Sequence, residues 1–308
     1  MNDDFLSVTN DVEDDRNLLH VFLTRFNLPS LGSRETELRQ SEGWLDDRFE
    51  LFENYCLPAI QAQVQSNFIW LVYFDIDTPE KYKARVLSYQ KQVTNMIVRW
   101  VRGAPLKVVV SDIYSFKKPS HQFLLTTRLD NDDGINRHFA YELQQHASSH
   151  CGSEKPVVFN FDNGFVLAKN RLYAHKDSAN PFCSMLESLP DLEFETVRSN
   201  NSKIPVNTIW AAKHNEISRM FSLKQILGEA MWMQVIHGRN VKNRIKGWRV
   251  SRAEYQDFPF LDGASLSVSK PHILLENITI SVLRLVFESV INVVRKTRSR
   301  FSPVKPKV

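Results

Sequence analysis

Phe123-Leu124-Leu125-Thr126-Thr127-Arg128-Leu129-Asp130-Asn131-Asp132-Asp133 decides the fold, because an apolar run of strand length passes directly into a cluster of carboxylates. The same form recurs upstream. Leu18 to Leu23 is a short apolar run that stops at Thr24-Arg25-Phe26-Asn27, and Phe68 to Phe74 is another that stops at Asp75-Ile76-Asp77-Thr78-Pro79. Leu106-Lys107-Val108-Val109-Val110 reads as a further strand. Helical spacing separates these runs. Trp44 to Gln63 places Phe49, Phe52, Cys56 and Ile60 on one face, with Pro58 predicting a kink or break. Glu80 to Met96 reads as a helix opened by Thr78 and Pro79, and Phe139, Leu143 and Ala147 mark another. Alternating buried strands and helices predict an α/β fold, a mostly parallel sheet with helices on both faces. Ligands of such sheets bind beyond the carboxyl ends of the strands. One rim would then gather Arg25 and Asn27, Asp75 and Asp77, and Asp130, Asp132 and Asp133.

The second half is less periodic. Pro156 to Leu167 reads as a hairpin about Asp162-Asn163-Gly164, and residues 175–205, with three X-Pro steps, read as a loop-rich region rather than an independent domain. Leu223, Ile226, Leu227, Ala230 and Met231 have helical spacing. Ile273 to Val294 is amphipathic, with Glu276, Arg284 and Glu288 in one sector and Leu275, Ile278, Val282, Leu285 and Val286 in another. Its charges disqualify it as a spanning helix, and the basic residues after it suit in-plane contact with an anionic cytoplasmic leaflet. Packing on its own domain or on a second subunit is the other reading.

The chain has 308 residues, 43% hydrophobic, enough for a sizeable core. Its charge of +4 comes from 39 basic and 35 acidic side chains, and the basic excess lies in residues 295–308. The near-neutral remainder argues against a nucleic-acid-binding body. Three dispersed cysteines, Cys56, Cys151 and Cys183, and an acidic start are expected of a cytoplasmic protein.

Three carboxylates at one strand end repel one another unless a cation or a hydrogen-bond network offsets them. Asp130 and Asp132 can turn toward the same side of an extended segment, and Mn²⁺ or Mg²⁺ prefers oxygen donors. A solvated acidic turn ahead of the next helix is the plainer alternative.

Taken together, Arg25-Phe26-Asn27, Arg48-x-x-Leu51-Phe52, Cys56-x-Pro58, Phe68-x-Trp70, Arg128 to Asp133 and Trp232 to Asn240 resemble the bacterial rhamnosyltransferase family. The resemblance implies a GT-A-like, Rossmann-type mixed sheet over 18–260. Flanking it would be an acidic leader at 1–17, a C-terminal helical extension at 261–294 and a basic tail at 295–308. It further implies a nucleotide-sugar donor (UDP-, GDP- or dTDP-linked) and a glycan or lipid-linked acceptor. A divalent cation would be held by Asp130, Asp132 and His237. Donor contacts would come from Arg25, Asn27, Asp75, Arg128, Arg239 and Asn240. Glu229 resembles the place of the acidic base in inverting members of that fold, with Asp177 as the second candidate. A Mg²⁺-dependent phosphatase or nuclease would need a second dense acidic cluster, which the sequence lacks. A non-catalytic α/β binding protein is the third reading.

Overall fold

The computed structural model describes residues 17–29, 37, 39, 41–199, 204–211, 213, 216–238, 245–250, 256–261 and 271–283. A seven-stranded sheet runs in the order β10-β6-β9-β4-β1-β2-β3. Its strands are β1 (Leu18–Arg25), β2 (Ile69–Asp75), β3 (Met96–Val101), β4 (Phe123–Arg128), β6 (Val157–Phe161), β9 (Ser184–Ser188) and β10 (Ser222–Ile226). β4, β1, β2 and β3 are mutually parallel, as are β6 and β10, whereas β9 is antiparallel to both β4 and β6. The predicted α/β architecture is therefore the one observed.

Side chains alternate across this sheet, as the two-residue period of a strand requires. Phe22, Trp70, Val72 and Phe74 pack with Phe49, Phe52, Tyr82, Val86, Phe139 and Leu143 on one face. Val21, Leu23, Leu71 and Tyr73 pack with Val109, Val110 and Ile113 on the other. Both faces are covered, which explains the nearly continuous apolar strands.

Several sequence expectations need correction. Leu106 to Val110 is the start of a helix, Leu106–Tyr114, whose buried positions Val109, Val110, Ile113 and Tyr114 recur at helical spacing after Pro105. The intervening strand is Met96–Val101, because the preceding helix stops at Gln92. Pro58 does not break its helix. The turn ahead of it, Phe52–Cys56, widens to a π-helix, which accommodates a ring lacking an N–H, and Leu57–Gln61 continues as α-helix. Segment 175–205 contributes β9 to the middle of the main sheet and a short helix, Phe194–Arg198. Leu223 to Met231 is no helix either: β10 ends at Ile226 and a bend follows.

Asp162 does not turn a hairpin. It passes the chain from β6 into a second sheet, ordered β12-β8-β7-β11-β5. This sheet holds β5 (Gly134–Ile135), β7 (Asn163–Ala168), β8 (Arg171–Lys176), β11 (Trp232–Ile236) and β12 (Trp248–Arg249). The true hairpin joins β7 to β8 through Lys169 and Asn170, both at positive φ (48° and 58°), as a two-residue type I′ turn demands. One face of this sheet packs on Phe258 and Leu261, and the other meets Ile280 of helix 271–283. The acidic leader before residue 17 and the basic tail lie outside the described residues.

Candidate active site

The carboxyl ends of β1, β2 and β4 lie on one rim, since Leu23 is in register with Arg128 and Arg25 with Tyr73. After β4 the chain leaves the sheet at Leu129, and the turn Asn131-Asp132 feeds β5. Asn131 is anchored by donating to the Phe26 carbonyl at 2.7 Å. This turn holds the three carboxylates in unlike surroundings.

Asp132 is buried and doubly paired. Its Oδ2 lies 2.6 Å from an Arg48 guanidinium nitrogen and 2.9 Å from His237 Nε2. Burial alone would raise its carboxyl, but His237 and Arg48 outweigh that and bring it below its ordinary value. Asp133, also buried, accepts the Val235 N–H of β11 at 2.8 Å. Burial and the adjacent carboxylates of Asp132 and Asp130 push it well up. Asp130 opens toward solvent, yet the protein around it still desolvates its carboxyl, which together with the charge of Asp132 raises it.

Arg25 and Arg128 flank Asp130. Desolvation and their mutual repulsion lower the Arg25 guanidinium, and Asp130 partly restores it. Arg128 donates to the Ile209 carbonyl at 2.9 Å, and Arg25 lies 4.3 Å from the centre of the Trp210 ring. The rim thus sets the guanidiniums of Arg25, Arg48 and Arg128 among the three carboxylates of the turn.

A recess of ≈ 510 Å³ opens beside this cluster, lined by Asn27, Arg39, Gly43, Trp44, Asp75 and Thr78 among others. Asn27 bridges the two strand ends: its Oδ1 accepts the Asp75 N–H at 2.9 Å and its Nδ2 donates to Thr78 Oγ1 at 2.9 Å. Arg39 pairs with Asp75 at 3.0 Å.

The described residues bring no three His, Cys, Asp or Glu side chains together as a ready metal ligand set. They do bring two. Donors bound side by side on an octahedral cation with bonds of about 2.1 Å stand about 3 Å apart. Asp132 Oδ2 and His237 Nε2 are hydrogen-bonded at 2.9 Å, a spacing that a shared cation would also accommodate.

Not every candidate gathers here. Glu229 is exposed and precedes β11, whereas His237 follows it. The strand's four residue steps alone span about 13 Å, which separates Glu229 from Asp132. It lines a cavity of ≈ 1140 Å³ with Asn163, His175, Lys176 and Asp257 instead. Asp177 is closer in the sheet. Its backbone bonds to Asp162 and Asn160 at the end of β6, two strand positions or about 10 Å from β4. Its carboxylate stands 3.8 Å from His175 and 4.0 Å from Lys246. Arg239 and Asn240 lie outside the described residues. Arg48, Asn131 and Trp210 belong to the site although sequence reasoning assigned them no role. Arg48 carried one signal, a basic residue in an otherwise acidic helix start, Asp46-Asp47-Arg48.

Comparison with curated protein sequences finds no match. Among solved structures, S. aureus TarS 1-349 is 11% identical over 71% of this chain and 60% of that one, with a TM-score of 0.37. Its complex with UDP is 10% identical over 83% and 68%, with a TM-score of 0.38. A 4-diphosphocytidyl-2C-methyl-D-erythritol synthase from Anaerococcus prevotii is 8% identical over 70% and 90%, with a TM-score of 0.31. This chain spans only 60% of the length of the first of these, and such distant likenesses carry no functional weight. The sequence profile of the family described as "Putative rhamnosyl transferase", by contrast, matches residues 19–249, which include β1, the carboxylate turn, β11 and His237. The chain belongs to that rhamnosyl transferase family.

Proposed function

We propose that this protein is a glycosyltransferase that moves a sugar from a nucleotide-diphosphate donor to a hydroxyl of a glycan or lipid-linked acceptor. The observation that carries this reading is the single rim on which Asp132 meets both Arg48 and His237 while Arg25 and Arg128 flank Asp130. The recess with Asn27 and Asp75 takes the nucleoside of a UDP, GDP or dTDP donor, and Arg25 and Arg128 take the diphosphate oxygens. Asp132 and His237, with Asp130 beside them, would hold Mn²⁺ or Mg²⁺, which supplies charge neutralisation for the departing diphosphate. Glu229, or Asp177 at the end of β6, would accept the acceptor hydroxyl proton; both stand at the cavity that His175 and Lys246 line. Rhamnose as the donor sugar follows from the family's description alone.

Thermal unfolding with UDP, GDP and dTDP, each with and without Mn²⁺, tests this reading. One nucleotide at 100 times its Kd is expected to add about 2.7 kcal/mol, a shift of several degrees, only when Mn²⁺ is present. Asp132→Ala should abolish that shift and the hydrolysis of the matching donor. A wild-type protein that responds to none of the nucleotides would exclude the transferase assignment.

A further inference from the structure

Helix 271–283 covers the second sheet with its polar side turned inward. Glu276 accepts from an Arg249 guanidinium nitrogen and from the Tyr173 hydroxyl, each at 2.5 Å, with Arg171 at 3.4 Å. Asn277 accepts the Arg249 N–H at 2.7 Å and donates to the Arg249 carbonyl at 3.0 Å. Only Ile280, against Val166, Ala168 and Tyr173, joins the core from this helix. Leu274, Leu275, Ile278, Val282 and Leu283 face outward at 51–63% exposure. A helix whose sole role is to cap a soluble domain presents the opposite face.

The Glu276 cluster fixes this orientation. Rotating the helix to bury its leucines would strand the carboxylate of Glu276 and the guanidinium of Arg249, whose side chain is 2% exposed. The sequence that follows adds Arg295, Lys296, Arg298, Arg300, Lys305 and Lys307. An apolar stripe followed by cations is complementary to an anionic lipid surface. None of the helices among the described residues is long and apolar enough to cross a membrane.

We propose that the outward face of helix 271–283 docks in the plane of an anionic bilayer, with Leu275, Ile278 and Val282 at the acyl boundary and the following basic residues on the headgroups. The inference stands apart from the donor chemistry, since vesicle binding needs no sugar transfer. The full chain is sedimented with vesicles of phosphatidylcholine alone and of phosphatidylcholine with about one-third phosphatidylglycerol. Binding is expected to the anionic vesicles and to weaken with salt. The double substitution Leu275→Glu/Ile278→Glu, at exposed positions, should reduce partitioning on the order of tenfold or more while leaving the thermal midpoint unchanged. Three results overturn the proposal. The wild type stays in the supernatant; or the double variant pellets like wild type, leaving the basic segment as the sole binder; or the face instead mediates a concentration-dependent dimer that the double substitution dissolves.

Discussion

At the scale of single residues, Arg48 bears most on the site's chemistry. It spends its charge on Asp132 at 2.6 Å and on the Asn131 side chain at 3.1 Å, so it holds the turn in shape without a cation. Both members of the pair are mostly buried, with side-chain exposures of 18% and 12%. Removing one partner of such a pair leaves an uncompensated charge and costs about 3–5 kcal/mol. Arg48→Ala should therefore lower the unfolding midpoint in the presence of a chelator, and Mn²⁺ should restore more stability to the variant than it adds to wild type. Equal Mn²⁺ shifts in calorimetry would show that the ion and Arg48 act on different carboxylates. The carboxylates themselves were legible in the sequence because they follow a strand without interruption. Arg48 was not, because its partner lies 84 positions downstream (132 minus 48) and only the fold brings them together. Glu229 was read as a base from its resemblance to the place of that residue in inverting members of the fold, and in the structure it precedes β11 whereas His237 follows it.

At the scale of elements, the second sheet depends on glycines at close approaches, Gly164 above all. Gly164 of β7 pairs in register with Trp232 of β11, and a Cβ at Gly164 would stand 2.0 Å from the indole ring. That indole has little room to move, being stacked on Phe182 at 5.4 Å and donating through Nε1 to the Phe161 carbonyl at 2.9 Å. Gly164→Ala should cost about 1–3 kcal/mol in urea unfolding, the range for overpacking a filled core. Combining it with Trp232→Leu should recover part of that loss, and strictly additive costs would argue against the contact. Elements with one unambiguous period were readable beforehand: β1, β2, β4 and the helix Phe139–Ser148. The errors fell where composition and period disagree. Val108-Val109-Val110 has the β-branched composition of a strand, yet its burial continues at helical spacing to Ile113 and Tyr114. The edge strand β3 was missed because the helical pattern before it, which ends at Gln92, was carried on to Met96. The role of β9 was unreadable because an antiparallel insertion between β4 and β6 is a matter of topology, which no local pattern records.

At the scale of the whole molecule, a buried polar chain ties β1, β4, β9 and the helix Phe139–Ser148 into one unit whose stability depends on pH. His20 Nδ1 accepts from the Gln144 amide at 3.0 Å, so Nε2 carries the hydrogen and donates to Thr127 Oγ1 at 2.9 Å. Thr127 in turn meets Ser184 Oγ at 2.9 Å, and Gln144 also donates to the Asn67 carbonyl. A proton on Nδ1 would face a donor where it needs an acceptor, in a site only 1% exposed. Burial accordingly lowers the His20 imidazole from 6.5 to about 3. The unfolded chain binds this proton near pH 6.5 and the folded chain does not until about pH 3, so the contribution is complete above pH 6.5 and lost as pH falls toward 3. At about 1.36 kcal/mol per pH unit, this one side chain should remove about 2 kcal/mol of stability between pH 7 and pH 5. Urea unfolding of wild type and His20→Asn at both pH values isolates the effect, since other groups titrate alike in the two proteins. The variant is expected to start less stable, having lost the links to Gln144 and Thr127, but to fall less on acidification, by about that amount. Parallel losses in the two proteins would place the imidazole proton elsewhere and remove His20 as the acid-sensitive point of the sheet.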